Sequence, residues 1–195
     1  MRYILASRSP RRREILTNIG IDFTVVTADT DETSSLSDPS ELAEELARRK
    51  GRAAAELLSQ KGELSEDDVI ISADTVVFCG GEILGKPRDR TDAKRMLRLL
   101  SGNSHTVVSG VALIKGGESF VSHSETKVYF DKLSESEIND YVDTDEPFDK
   151  AGAYGIQGRA SLWINRIEGC YFGVVGFPVN LFNDLHRKCL GYPVL

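Results

Sequence analysis

Val69-Ile70-Ile71-Ser72-Ala73-Asp74-Thr75-Val76-Val77-Phe78 is the stretch on which the fold turns. It is rich in β-branched residues and largely apolar on both faces, the pattern of a central strand covered from two sides. It runs on through Cys79 to a Gly80-Gly81 turn. Strand and helix signals alternate outward from it. Upstream, Tyr3-Ile4-Leu5 is a short strand, and Ser9 reads as the N-cap of a helix with Pro10 at its first position and Gly20 as its stop. Phe23 to Val26 is a further strand. Asp29 to Ser35 is an acidic, hydroxyl-rich loop. Asp38-Pro39-Ser40-Glu41 opens a long helix that reaches about Gln60. Downstream, the spacing predicts a helix over about Thr91–Leu100, then long strands over Thr106–Ile114 and Ser119–Phe130 joined at Gly116-Gly117. Ser134, with Glu137 three positions on, opens a short helix. Another hairpin is expected near Glu168-Gly169, and a last helix from Pro178 to about Cys189. This alternation predicts an α/β fold, and the Gly116-Gly117 hairpin, antiparallel by its short turn, makes the sheet mixed.

The chain has 195 residues, room for one sizeable domain or two small lobes, with no obvious linker and no internal repeat. We read it as a single domain over residues 1–195. A composition 41% hydrophobic and 28% charged is that of a soluble globular protein. The net charge of −6 argues against a nonspecific nucleic-acid binder, though not against a local basic pocket for a small anion. No apolar run approaches the ~20 residues of a membrane span. Arginines follow Ala6 too soon for a secretory h-region. Cys79, Cys170 and Cys189 are distant and odd in number, which points away from disulfides and zinc and toward a reducing cytoplasm. His105, His123 and His186 lack ligand spacing and read as structural or surface residues.

Several charged residues break local rules. Arg11, Arg12 and Arg13 fill the first turn of the helix after Ser9, where the helix dipole disfavours cations by about 0.3–1 kcal/mol each. With the backbone N–H groups and the capping Ser9 hydroxyl, they form an anion trap suited to phosphate, or else a solvated basic surface balanced by Glu14 and other acids. Asp74 places a carboxylate in the central strand, costly without a cation or donors, and buried acids cluster at active sites. Lys50 stands where the stripe Leu42, Ala43, Leu46, Ala47, Ala53, Ala54, Leu57, Leu58 lacks its middle member. It either snorkels to water or points a charge into a site. Lys86 lies in Leu84-Gly85-Lys86-Pro87, a turn that could hold it toward a phosphate or leave it exposed; the spacing is not that of a P-loop. Asp149 and Lys150 open the glycine-punctuated loop Asp149–Gly158 and could pair with each other or contact a ligand. Glu32, in the acidic loop, could hold a hard metal ion or stay solvated. Cations and carboxylates together in odd positions are what a polyphosphate with a divalent metal requires.

The motifs resemble those of the Maf-like nucleotide pyrophosphatases. The matching blocks are Leu5-Ala6-Ser7-Arg8-Ser9-Pro10-Arg11-Arg12 with Glu14, Asp31-Glu32, Ala47-Arg48-Arg49-Lys50, Ala73-Asp74-Thr75-Val76-Val77, Leu84-Gly85-Lys86-Pro87, Leu100-Ser101-Gly102 with His105, and Asp149-Lys150-Ala151-Gly152-Ala153-Tyr154-Gly155-Ile156-Gln157-Gly158. They stand in family order over nearly the whole chain. Asp31 in place of a second Glu, and Ser72 where Gly is frequent, are small departures. The resemblance implies an elongated mixed sheet with flanking helices, two lobes around a cleft, as in inosine-triphosphate pyrophosphatases. It implies metal-dependent hydrolysis of a nucleoside triphosphate to the monophosphate and pyrophosphate, with Mg²⁺ or Mn²⁺ as cofactor. By the same match Asp74 is the proposed general base and Glu32 a pocket residue; we expect Glu32 and Asp74 to bind or orient the metal, with the division of roles between them left open. Arg12, Thr75 and Gln157 match the branch that prefers dTTP and UTP over 7-methyl-GTP. Ser7, Arg11, Lys50 and Lys86 match other pocket residues, with Ser9, Asp149 and Lys150 as further substrate contacts. The resemblance alone suggests a homodimer. Two competing readings stand beside this one: house-cleaning of modified nucleotides, and a nucleotide-sensing or nucleic-acid-binding regulator of cell division with little catalysis.

Overall fold

The computed structural model describes residues 1–194. In chain order the elements are β1 (Arg2–Leu5), α1 (Pro10–Asn18), β2 (Phe23–Val25), α2 (Pro39–Gln60), β3 (Asp68–Cys79), β4 (Glu82–Leu84), α3 (Arg90–Leu100), β5 (Ser104–Lys115), β6 (Glu118–Phe130), α4 (Glu135–Val142), β7 (Ile164–Glu168), α5 (Tyr171–Val175) and α6 (Val179–Leu190). Short 3₁₀ turns lie at Glu146–Asp149, Ala151–Ala153 and Arg159–Trp163. The sheet has seven strands in the order β2-β1-β3-β5-β6-β7, with β4 beside β3. Pairs β1–β2 and β1–β3 are parallel, and β3–β4 and β6–β7 antiparallel, so the sheet is mixed as expected. β3 is buried along nearly all its length, which is why its residues read as apolar on both faces.

The chain forms two compact units. The first holds Met1–Asp74, Ser109–Ser124 and Gly176–Leu195, the second Thr75–Val108 and Glu125–Val175. Each has its own apolar core. In the first, Ile4, Ala47, Ala54, Leu58, Ile70, Ala112 and Ile114 pack together. Burying a side chain such as Leu58 or Ile70 contributes about 1.5–3 kcal/mol. In the second, Leu84, Leu97, Leu100, Val107, Val128, Phe130, Ile138 and Trp163 do the same.

Helix α2 begins as its sequence requires: the Asp38 side chain accepts from the backbone N–H groups of Ser40 and Glu41, and Pro39 sits in the first turn. The helix lies unusually close to the sheet. A Cβ on Gly51 would stand 2.7 Å from Ser72 Oγ, and one on Gly110 of β5 would stand 2.3 Å from the Ala43 carbonyl oxygen. Both positions therefore demand glycine for close approach. The Ser72 hydroxyl donates to the Ala47 carbonyl at 2.7 Å, so a polar residue buried at this seam is satisfied.

Two expectations change. No hairpin forms at Glu168-Gly169: β7 ends there and the chain enters α5 instead. Tyr171-Phe172-Gly173-Val174-Val175 has a strand-like composition, but Thr126 Oγ1 accepts from Cys170 N at 2.9 Å and donates to Cys170 O at 3.1 Å. That carbonyl also takes the Gly173 and Val174 N–H groups, which closes a helical turn. Tertiary capping overrides propensity here. Ser9 occupies the N-cap position of α1 in extended conformation, yet its hydroxyl makes no cap bond. Its backbone N–H donates to Ser7 Oγ at 3.2 Å instead. The capping box at Ser134 and Glu137 forms as read.

Candidate active site

Three sequence oddities in the first unit meet at one point. Because α2 rests tightly on β3 at Gly51 and Ser72, the next residue back along the helix, Lys50, is carried over the end of the buried strand segment. Its Nζ donates to Asp74 Oδ1 at 2.5 Å and lies 2.7 Å from Glu32 Oε1. Lys50 therefore does not snorkel to water. The Asp74 side chain is 11% exposed and that of Lys50 21%, so this pair is largely withdrawn from solvent. The Glu32 side chain is 58% exposed, and its share of the attraction is screened.

Arg12 forms the other side of the cluster. It projects from the first turn of α1, Nε donating to the Gly176 carbonyl at 2.9 Å and Nη1 to the Ala73 carbonyl at 2.7 Å, with Ser7 Oγ at 3.3 Å. The guanidinium fork thus ties the start of α1 to the residue before Asp74. Burial pulls the Arg12 pKa below its ordinary value, and Arg11 adds to that; the charges of Asp74 and Glu32 oppose it. Ser7 is buried and Arg11 half-buried. Arg12 of the helix start and the central-strand carboxylate, far apart in sequence, are neighbours.

In the second unit Lys86, Asp149, Lys150 and Gln157 lie on two irregular segments, while Thr75 belongs to β3. The Gly152 N–H donates to the Gly85 carbonyl at 3.0 Å, which fastens the glycine-punctuated loop to the turn that carries Lys86. Gly152 has φ +69, and a Cβ there would press on Val77 at 3.1 Å. Ala153 follows with φ 59, an uncommon conformation for a residue other than glycine. Strain of this kind gathers at functional loops. Lys150 Nζ donates to Asp149 Oδ1 at 2.5 Å and to the Glu146 carbonyl at 2.6 Å, so these two residues pair. Lys86 and Gln157 are exposed, and Thr75 is half-buried.

Behind this loop, His105 Nε2 and the Tyr154 hydroxyl are 2.7 Å apart, with the rings edge to face. Burial drives the His105 pKa down to about 4 and raises that of the Tyr154 phenol. His186 meets the Tyr3 hydroxyl and the Tyr192 carbonyl, and His123 meets Glu44.

Sequence reasoning missed two participants. Gly176 supplies a carbonyl to Arg12, and only the fold shows that it is near. Arg49 grips the loop around Glu32, and nothing in a run of adjacent arginines distinguishes it from Arg48.

Among the described residues no group of three or more His, Cys, Asp or Glu forms a metal cage. Glu32 and Asp74 nonetheless share one cation, Lys50, which brings two carboxylates to one place. Hard oxygen donors of that kind suit Mg²⁺ or Mn²⁺, which keep several waters and take one or two carboxylates beside substrate phosphates. The residues fit such an ion.

Comparison with known proteins gives a consistent result. The family model described as "Maf-like protein" matches residues 2–189. A protein of Symbiobacterium thermophilum named "dTTP/UTP pyrophosphatase" is 48% identical over 192 residues, covering 98% of this chain and 95% of the relative. One of the same name from Caldanaerobacter subterraneus subsp. tengcongensis is 46% identical over 193 residues, covering 98% and 90%. Among solved structures, the Staphylococcus aureus Ham1 protein is 18% identical at a TM-score of 0.48, covering 67% of this chain and 72% of that one.

Proposed function

This chain belongs to the Maf-like protein family, and from that premise we propose that it hydrolyses nucleoside triphosphates, dTTP and UTP foremost, to the monophosphate and pyrophosphate. The observation that carries the reading is the Lys50 bridge between Glu32 and Asp74, beside an anchored Arg12. Both signs of charge are concentrated there on side chains already held in place, as the turnover of a polyphosphate requires.

Asp74 accepts the proton of the water that attacks the α-phosphorus. Lys50 orients this carboxylate through Oδ1. Arg11, Arg12, Lys50 and Lys86 offset phosphate charge, and Ser7 and Ser9 contribute polar contacts at the start of α1. Glu32 and Asp74 would hold the divalent ion, which when bound would neutralise phosphate oxygens and make a water easier to deprotonate. Thr75 and Gln157 read the pyrimidine edge, an amide being both donor and acceptor. No helix among the described residues is long and apolar enough to cross a membrane, and the three cysteines are free thiols, which fits a reducing cytoplasm. A homodimer is proposed on the family resemblance alone.

The test is pyrophosphate release across a panel of triphosphates that includes 7-methyl-GTP and modified pyrimidines, with Mg²⁺ or Mn²⁺. The expected result is preference for dTTP and UTP, and a loss of about 10²–10⁴-fold in Asp74→Asn. Undiminished turnover in that variant removes Asp74 from the chemistry. A preference for 7-methyl-GTP overturns the substrate assignment.

A further inference from the structure

Arg49 and Lys50 are consecutive on α2, yet they reach the same loop in different ways. Lys50 meets the Glu32 side chain. Arg49 takes hold of the main chain on either side of it: Nη1 donates to the Thr33 carbonyl at 2.8 Å and approaches the Asp31 carbonyl at 3.4 Å. The opposite edge of the guanidinium is fixed by Glu45, with Nε 2.7 Å from Oε1. The loop is braced from within as well, because Asp31 Oδ1 accepts from both the N–H and the hydroxyl of Thr33 at 2.8 and 2.7 Å. Residues 27–36 otherwise have no regular backbone pairing. Without a strut, an exposed carboxylate on such a loop would explore many positions, and ordering it on metal binding would cost conformational entropy.

We propose that Arg49 is a positioning residue for the metal: it clamps the Asp31–Thr33 main chain to α2 so that Glu32 is preset beside Asp74 for a divalent cation. The inference rests on the proposed role of Glu32 as a metal-holding carboxylate. In this role Arg49 acts through the loop main chain, by way of the Asp31 and Thr33 carbonyls, and not as a ligand of the ion. Only a planar fork can engage Glu45 and the loop carbonyls at once, so lysine is a poor replacement. Arg48 is the internal control. It pairs with the same Glu45 and, unlike Arg49, sends no hydrogen bond to the loop carbonyls.

The experiment titrates Mn²⁺ into the full chain by electron paramagnetic resonance, with and without a non-hydrolysable α,β-imido analogue of dTTP. Wild type, R49A, R49K, R48A and E32Q are compared, and a thermal melt of each checks the fold. Outer supports of metal ligands are typically worth 10–100-fold in affinity, so R49A is expected to weaken Mn²⁺ about tenfold, with R49K between it and wild type. R48A should bind as wild type does. Turnover of R49A should recover as Mn²⁺ is raised, with the metal requirement moved and kcat largely retained. An unchanged Mn²⁺ affinity in R49A while E32Q is impaired overturns the role of Arg49 and leaves that of Glu32 standing. Unchanged affinity in E32Q, or no Mn²⁺ binding by wild type in either condition, overturns the reading of Glu32 and the inference with it. Equal losses in R48A and R49A also overturn it, since the loop contact would not be the cause.

Discussion

Replacing Lys50 with methionine tests the centre of the site, because it keeps the apolar stem of the side chain and deletes the charge. The Lys50–Asp74 contact is 2.5 Å long. At an effective dielectric of about 20 the gross attraction at that distance is about 7 kcal/mol, most of it offset by the cost of desolvating both ions. What the variant exposes is the net loss from stranding one partner. For fully buried pairs that loss is about 3–5 kcal/mol. Here the lysine side chain retains 21% exposure, so the loss falls to or just below the bottom of that range, about 2–3 kcal/mol. The Glu32 contact adds little, because that side chain is more than half exposed. Urea unfolding of wild type, K50M, D74N and the double variant gives the coupling directly. D74N keeps the shape and removes the charge that Lys50 neutralises, so K50M should cost much less in its presence, with a coupling of about 2 kcal/mol. Additivity within about 0.5 kcal/mol would refute the reasoning, for it would mean that the two charges do not depend on each other in the folded chain.

Two further outcomes follow from the second unit. His105 is 2% exposed and its pKa falls from 6.5 to about 4, so between those values the unfolded chain binds a proton that the native chain does not. Stability should therefore be fully present above about pH 6.5 and fall by about 3 kcal/mol as pH drops through 4, at 1.36 kcal/mol per unit. Unfolding measured over that range should flatten in H105F, and an equally steep slope in the variant would assign the effect to other groups. G152A places a Cβ 3.1 Å from Val77 in a backbone of positive φ, and should cost about 1–2 kcal/mol by chemical denaturation while lowering turnover. A variant as stable and as active as wild type would show that the loop accommodates the methyl group without strain.

Much of the fold was legible because its signals are local. The Asp38-Pro39-Ser40-Glu41 start placed α2 at its observed first residue, and the two-sided apolarity of Val69–Phe78 marked β3 as a covered strand. The hairpin expected at Glu168-Gly169 was misread because its aromatic and β-branched residues satisfy strand propensity, while the Thr126 hydroxyl that turns the segment into a helix lies 44 positions away. Lys50 and Asp74 stood out by breaking patterns of burial. Arg49 broke none, since an arginine on a partly exposed helix face is ordinary.

Taken alone, the order of residues determined which segments are helix or strand, where helices start, and which charges sit in positions that cost free energy unless something answers them. These are properties of spacing and capping within a few residues. Only the tertiary structure decided what answers them: that Lys50 meets both Glu32 and Asp74, that Arg12 spans the carbonyls of Ala73 and Gly176, and that Arg49 takes the Thr33 carbonyl. Partners separated by 16 to 164 positions are brought together by strand order and by the close approach at Gly51, and neither is encoded in any local pattern.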